Sequence, residues 1–528
     1  MTNTQMIDVL VVGAGPVGLT LALDLARRGV TCRIIEQSPT YQIGTRGRGI
    51  SLRSQEVFED LGVLETLASY AEPFVPWRFF DQDNKLVREI NLASTPVVHP
   101  APYRAILMLS QQHTEAVLRE RLASYGPKVE LDCQLTGFTQ DADCVVAKVA
   151  HADQSVEIQA RYLVGCDGGR STVRKSAGIS FLGETWDEEN HILANISISG
   201  LDSSCWDSWG GVTLNWMSHS NTWFFIASVS PDEHGALPTP TLETIQRIFD
   251  ERVGIPGVRF SNPTWLSAWR PSIRMVDRYR TGRVFLAGDA AHVHSAAGGQ
   301  GLNTGVQDAY NLGWKLAHVL GGASDALLDT YQAERLPIAS GVLATTSTRH
   351  RAFTQDMGKA VANLTSGRET FADPSQLSIN YRGGPLASDL DDTTSIRAGD
   401  RAPDALCVHA GSDEQIRLFD LFHSTHFTLL TFGDQPTPQL PAAYHGSLRA
   451  YTVTRPGNMT AISDHTLVDS DGHAHHAYGI TSDALILVRP DGYIGLTGGM
   501  SDRGPIIDYL RNVTGDDVRL PLSWITGE

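Results

Sequence analysis

The chain has 528 residues, 41% of them hydrophobic and 19% charged, with a formal net charge of −17. This fits a globular enzyme of about three domains with ample core, and the negative charge disfavours nucleic acid and anionic membrane surfaces as partners. Six scattered cysteines with no C-x-x-C pair argue against a zinc knuckle or a dithiol redox centre.

No apolar run approaches membrane-spanning length, and the N-terminus lacks a basic-then-apolar leader. A reducing cytoplasm with free thiols is therefore expected. Ile7 to Val12 reads as a short buried strand, followed at once by Gly13-Ala14-Gly15-Pro16-Val17-Gly18 and by a helix from Leu19 that Gly29 can end. Gly13 suits the tight turn, Gly15 lets a pyrophosphate approach the backbone, and Gly18 lets the helix pack against the strand. The phosphates then meet unpaired N–H groups at the positive helix end. A second strand, Thr31 to Glu36, ends on a carboxylate eighteen residues beyond Gly18, placed to accept hydrogen bonds from an adenosine ribose. This fingerprint does not separate NAD from FAD.

Further along, Gly44 to Gly49 forms a loop and Arg53 to Leu67 resumes as helix. Arg78-Phe79-Phe80 and Lys85-Leu86-Val87 flank a turn, Ser110 to Leu122 is helical, and Arg161 to Gly165 is a strand entering Cys166-Asp167-Gly168. Ser171 is a candidate N-cap for the next helix, where Arg174 could meet a pyrophosphate or a visiting nicotinamide nucleotide. Residues 186–279 are strand-rich and hold seven of the ten tryptophans. Arg283 to Ala287 returns as a strand into Gly288-Asp289, a glycine-rich run follows from Gly298, and a helix is expected from about Thr304 to Leu320. The expected division is a nucleotide-binding unit over 1–75, 104–185 and 280–395 with its helical linker, a β-rich substrate domain over 76–103 and 186–279, and a C-terminal α/β domain over 396–528.

Other candidates carry two readings each. Trp216, Trp223 and Phe225 could wall an apolar pocket or simply fill a core. His292 and His294 could shuttle protons or pack a turn. Gly472-His473-Ala474-His475-His476 is expected to be a loop of solvated histidines, and no metal site is expected.

The ordered set Gly13-x-Gly15-x-x-Gly18, Asp167-Gly168 and Gly288-Asp289 resembles the single-component FAD-dependent aromatic hydroxylases (class A flavoprotein monooxygenases) over about residues 5–350. It is most similar to the phenol, chlorophenol and polyketide hydroxylases, whose C-terminal thioredoxin-like domain lacks redox cysteines and resembles residues 396–528. The resemblance implies an α/β fold: a Rossmann-like FAD-binding domain, an inserted β-rich substrate domain and a thioredoxin-like tail. It implies Glu36 and Gln37 at the adenosine, Arg46 and Gln111 near the flavin, and Asp289 on the ribityl chain. Gly299, Gly301, Leu302 and Asn303 would lie along the flavin ring, and Arg48 would face the substrate ring, a surface arginine being the other reading. Ala296 stands where the family usually has proline.

The implied reaction takes hydride from NADPH or NADH to FAD, adds O2 to give a C4a-hydroperoxide, and hydroxylates a phenolic or polyketide-type aromatic. No second G-x-G-x-x-G follows a strand, so the nicotinamide nucleotide would bind transiently. A homodimer is a family implication. Two alternatives stay open at this point: a Baeyer–Villiger oxygenase on the same scaffold, and a flavin-holding binding protein without turnover.

Overall fold

The computed structural model describes residues 6–45, 47–73, 75–90, 103, 105–152, 154–185, 190–232, 236–270, 272–293, 300–355, 373–392, 394–412, 414–433, 447–457, 464–499 and 504–514. Its first sheet runs in the order Arg280–Thr281, Val284–Leu286, Gln154–Gly165, Ile7–Val12, Cys32–Ile35, Val129–Glu130. From Val284–Leu286 to Val129–Glu130 every pairing is parallel. Parallel strands covered on both faces need continuous apolar runs, and Val9, Leu10, Val11, Leu163, Val164, Phe285 and Leu286 are all fully buried. Helix Pro16–Arg27 packs on helix Gly301–Leu320 beside this sheet.

A second sheet has the order Arg259–Trp269, Asn190–Ser199, Thr222–Val229, Val212–Met217, Trp206–Trp209, Trp77–Phe80, Leu86–Ile90. One face buries Ile196, Leu214, Trp223 and Phe225 against Ile245 and Phe249 of helix Leu242–Arg252. The other face turns to the nucleotide-binding unit.

The C-terminal unit is a third sheet around Phe427–Phe432, Leu448–Thr454 and Thr466–Val468, which are mutually parallel, with Ala484–Val488 antiparallel beside the first of them. It is locked to the nucleotide-binding unit by buried charge. Arg489 meets Glu334 at 2.6 and 3.0 Å and Asp491 at 2.5 Å, while Lys315 reaches Glu334 at 2.8 Å. Arg53 donates to the Asp491 carbonyl at 2.6 Å. The mixed α/β class expected from the sequence is the one observed.

Three local expectations are corrected. The helix expected over Arg53 to Leu67 is two helices, Leu52–Asp60 and Leu64–Ser69, because Gly62 (φ 69°) turns the chain between them. The long helix begins at Gly301, not Thr304. The histidine tract is not a loop: His473–Ala477 is a short helix, and buried His475 bonds Asp469 at 2.7 Å. Among the described residues no cluster of three or more metal-ligating side chains forms, and no helix is long and apolar enough to cross a membrane.

Candidate active site

The three glycine–acid turns leave adjacent parallel strands at their carboxyl ends, the usual ligand crevice of such sheets. Gly13 N–H donates to the Ile35 carbonyl (2.8 Å), Cys166 N–H to Val12 (2.8 Å) and Ala287 N–H to Gly165 (3.0 Å). They also touch. A Cβ on Gly13 would lie 2.5 Å from the Cys166 carbonyl oxygen and 2.9 Å from Asp167 Cα; one on Gly288 would lie 2.8 Å from Val17 Cγ2. Gly18 likewise faces Cys166. Gly15 and Gly168 differ, since a Cβ there would meet nothing within 4 Å. These two positions face open space where the others are packed shut.

Around that space, Pro16 starts the helix and Glu36 accepts from Ala14 N–H at 3.0 Å and Ser38 N–H at 3.0 Å, with Gln37 exposed beside it. Asp167 Oδ2 accepts from Thr172 and Val173 N–H at 2.7 and 3.1 Å, and Ser171 caps the same helix. Asp167 Oδ1 is buried with no partner among the described residues, and desolvation holds the carboxyl above its ordinary pKa. An orphaned carboxylate oxygen, an open Gly15 and an acid at the second strand end fit an FAD whose pyrophosphate and ribose need such groups.

Two expected residues do other work. Arg174 donates to the Ala290 carbonyl (2.9 Å) and the Gly169 carbonyl (2.8 Å) and lies 3.8 Å above the Phe181 ring. It braces the second turn against the third instead of facing a phosphate. His292 is fully buried, 2.6 Å from Asp308 Oδ2, so its ring holds a turn and does not reach a substrate. Asp308 also takes the Gly288 N–H (3.1 Å) and Arg335 Nε (2.7 Å). Burial alone would raise the Asp308 pKa, but His292 and Arg335 hold it below the usual range. Asp289 is exposed next to this buried hub.

At the far end of the cleft, Gly47 N–H donates to Gln111 Oε1 (3.0 Å), and a Cβ on Gly47 would lie 2.9 Å from Leu302. The first turn of the 20-residue helix, Gly301 to Asn303, thus stands beside Gln111 and the Gly44–Gly49 loop with its positive end forward. The Asn303 side chain is engaged: it accepts from Ser51 N–H and donates to the Gly49 carbonyl, both at 2.8 Å. Arg46, His294, Ala296 and Gly299 lie outside the described residues.

The second sheet closes the cleft. Arg48 is half-buried, donates to Asn215 Oδ1 at 2.8 Å, and sits 4.1 Å over Phe224 and 5.8 Å over Trp206. No acid pairs with it among the described residues, and desolvation lowers its pKa to about 10. Trp265 lies against Gly44, where a Cβ would come within 2.5 Å of the indole. Trp223 and Phe225 are not pocket walls. Alternate residues of a strand face opposite ways, so in Thr222–Val229 they enter the helix-packed core with Trp216 while Phe224 faces the cleft with Leu193 and Met217.

Sequence reasoning missed Asp308, Arg335, Phe224, Asn195 and Asn215. Strand parity separates Phe224 from Trp223 and Phe225 without saying which face is buried, and an asparagine inside each of the apolar runs Ile192–Ile196 and Val212–Met217 was a visible anomaly.

A family model described as FAD binding domain matches residues 6–346, and one described as aromatic-ring hydroxylase, C-terminal, matches 395–516. The chain is 40% identical to a flavin-dependent monooxygenase of Mycobacteroides abscessus, covering 96% of this chain and 99% of that one. It is 32% identical to pentachlorophenol 4-monooxygenase of Sphingobium chlorophenolicum, covering 94% and 95%. The crystal structure of aklavinone-11 hydroxylase with FAD and aklavinone superposes with a TM-score of 0.79 at 27% identity, over 98% of this chain and 100% of that one.

Proposed function

The chain belongs to the FAD-dependent aromatic-ring hydroxylases, and from that premise we propose that it uses NAD(P)H and O2 to hydroxylate a phenolic or polyketide-type aromatic. The observation that carries this reading is Arg48: a cation without an acid partner among the described residues, set on an aromatic sheet face across the loop from Gln111 and Leu302. FAD held in this crevice would supply the two-electron redox chemistry that couples the nicotinamide nucleotide and O2 to the acceptor.

The chain's own residues would do the rest. The Gly15 backbone and the start of helix Pro16–Arg27 would hold the pyrophosphate, Glu36 the ribose, and Asp289 the ribityl hydroxyls. The start of helix Gly301–Leu320 would favour negative charge on the nearby ring. Arg48 would favour the ionised form of the acceptor's phenol, whose ring is the better nucleophile. Phe224, Leu193 and Met217 would keep water from the reacting face.

The test is a panel of phenols and hydroxyquinones screened for stimulated NADPH and NADH oxidation, with product and H2O2 both quantified. A hydroxylated product in step with nucleotide consumption is expected. A ring-expanded ester or lactone, or peroxide alone with every acceptor, contradicts the proposal.

A further inference from the structure

One row of the cleft-facing sheet is chemically unusual. Trp265 pairs with Asn195, Asn195 with Phe224, and Phe224 with Asn215, so the four stand side by side across four strands. Asn195 and Asn215 are each 2% exposed, and each keeps one buried amide atom without a partner among the described residues: Asn195 Oδ1 and Asn215 Nδ2. A buried amide with an unmet hydrogen bond is costly unless a ligand or solvent meets it.

The two ends differ in chemistry. At Asn215 the orientation is dictated by Arg48, which only donates, so Oδ1 faces the guanidinium and Nδ2 is left as a donor. Asn215 Nδ2 and the Arg48 guanidinium therefore make a donor-only end, suited to an anionic or carbonyl oxygen. At Asn195 the amide Nδ2 donates to the Thr45 hydroxyl at 3.1 Å, so Oδ1 is left as an acceptor and this end suits a hydroxyl. Two strand spacings separate the asparagine backbones by roughly 10 Å, with Phe224 and the overlying Arg48 between them.

We propose that Asn195 and Asn215 are a two-point clamp that selects an acceptor bearing two oxygens on opposite edges of a flat ring system, the more acidic one at the Arg48 end. The clamp sets which ring carbon is presented for reaction, and it disfavours simple monophenols. That this ligand is the acceptor rests on the hydroxylase reading; the clamp itself is a binding claim.

The experiment is a binding titration of the FAD-loaded enzyme, followed by flavin absorbance and tryptophan fluorescence, with dihydroxynaphthalenes whose oxygens lie on opposite edges and with 2-naphthol. The wild type should bind the best diol about tenfold more tightly than 2-naphthol. Asn195→Leu should remove most of that preference while leaving 2-naphthol within about twofold, and Asn215→Leu should weaken both ligands. Equal affinity for diol and monophenol in the wild type means that water serves both amides and overturns the proposal, as does a preference that survives Asn195→Leu. If a variant fails to hold FAD, the wild-type comparison decides alone. A diol preference without any hydroxylated product would leave the clamp standing and contradict only the hydroxylase reading.

Discussion

Alanine at Gly15 should separate cofactor binding from folding. Gly15 has φ −73°, open to any L-residue, and its Cβ would meet nothing within 4 Å. As a helix N-cap, glycine exceeds alanine by about 0.5–1 kcal/mol, and the stiffer unfolded chain returns about 0.4–1 kcal/mol. The apoprotein of Gly15→Ala should therefore melt within a degree or two of wild type. The same methyl points into the crevice where the pyrophosphate must approach. Losing one charge-assisted hydrogen bond costs about 1.5–3 kcal/mol, or roughly 10–150-fold in FAD affinity.

Gly13→Ala should behave oppositely. Its φ of 102° is unsuited to alanine, and its Cβ would press at 2.5 Å on the Cys166 carbonyl. Together these cost about 2–5 kcal/mol of apoprotein stability. The assay is flavin fluorescence titration of apoprotein beside thermal melts with and without FAD. Wild-type FAD affinity in Gly15→Ala, or an apoprotein as damaged as Gly13→Ala, would refute the placement of the pyrophosphate.

Arg48→Met should abolish the ionising effect of the site: a nitrophenol bound to wild type should titrate at least about one unit below its solution value, read by absorbance, and at that solution value in the variant. Because desolvation lowers the Arg48 pKa to about 10, phenolate affinity in wild type should be steady below that point and fall as pH rises through it. Glu334→Gln leaves Arg489 and Lys315 buried with a weaker partner and should cost about 3–5 kcal/mol in denaturant unfolding. Burial alone would raise the Glu334 pKa, yet Arg489 and Lys315 lower it to about 2. Its stabilisation is therefore complete above the ordinary carboxylate range and lost as pH falls towards about 2, a loss the variant should not show. Burial holds His318 and His426 neutral, with pKa values of about 4. The unfolded chain then binds more protons than the native one between about pH 6.5 and 4, so unfolding midpoints should drop across that window and drop less in His318→Gln.

The nucleotide-binding half was readable because its constraints are local. Strand, glycine turn, helix and acid follow one another within Ile7 to Glu36, and a missing Cβ at Gly13 or Gly18 is visible in the letters themselves. Asp308 was not, because its role depends on four groups (Gly288, His292, Arg335 and its own helix) that only tertiary packing brings together. Arg174 shows a related limit: a cation near a helix start suits a phosphate, but its guanidinium here donates to two backbone carbonyls that the sequence does not reveal. On the substrate side the error was one of parity. Trp223-Phe224-Phe225 is aromatic throughout, so composition could not say which ring faces the cleft; the buried partner helix decided it.

The most direct test is hydroxylation under 18O2, with NADPH and the acceptor that stimulates its oxidation most. One labelled oxygen atom on a ring carbon per acceptor, with roughly one NADPH consumed, is the expected result. Unlabelled product, label in a ring-expanded ester, or NADPH oxidation yielding only labelled H2O2 would contradict aromatic hydroxylation by this chain.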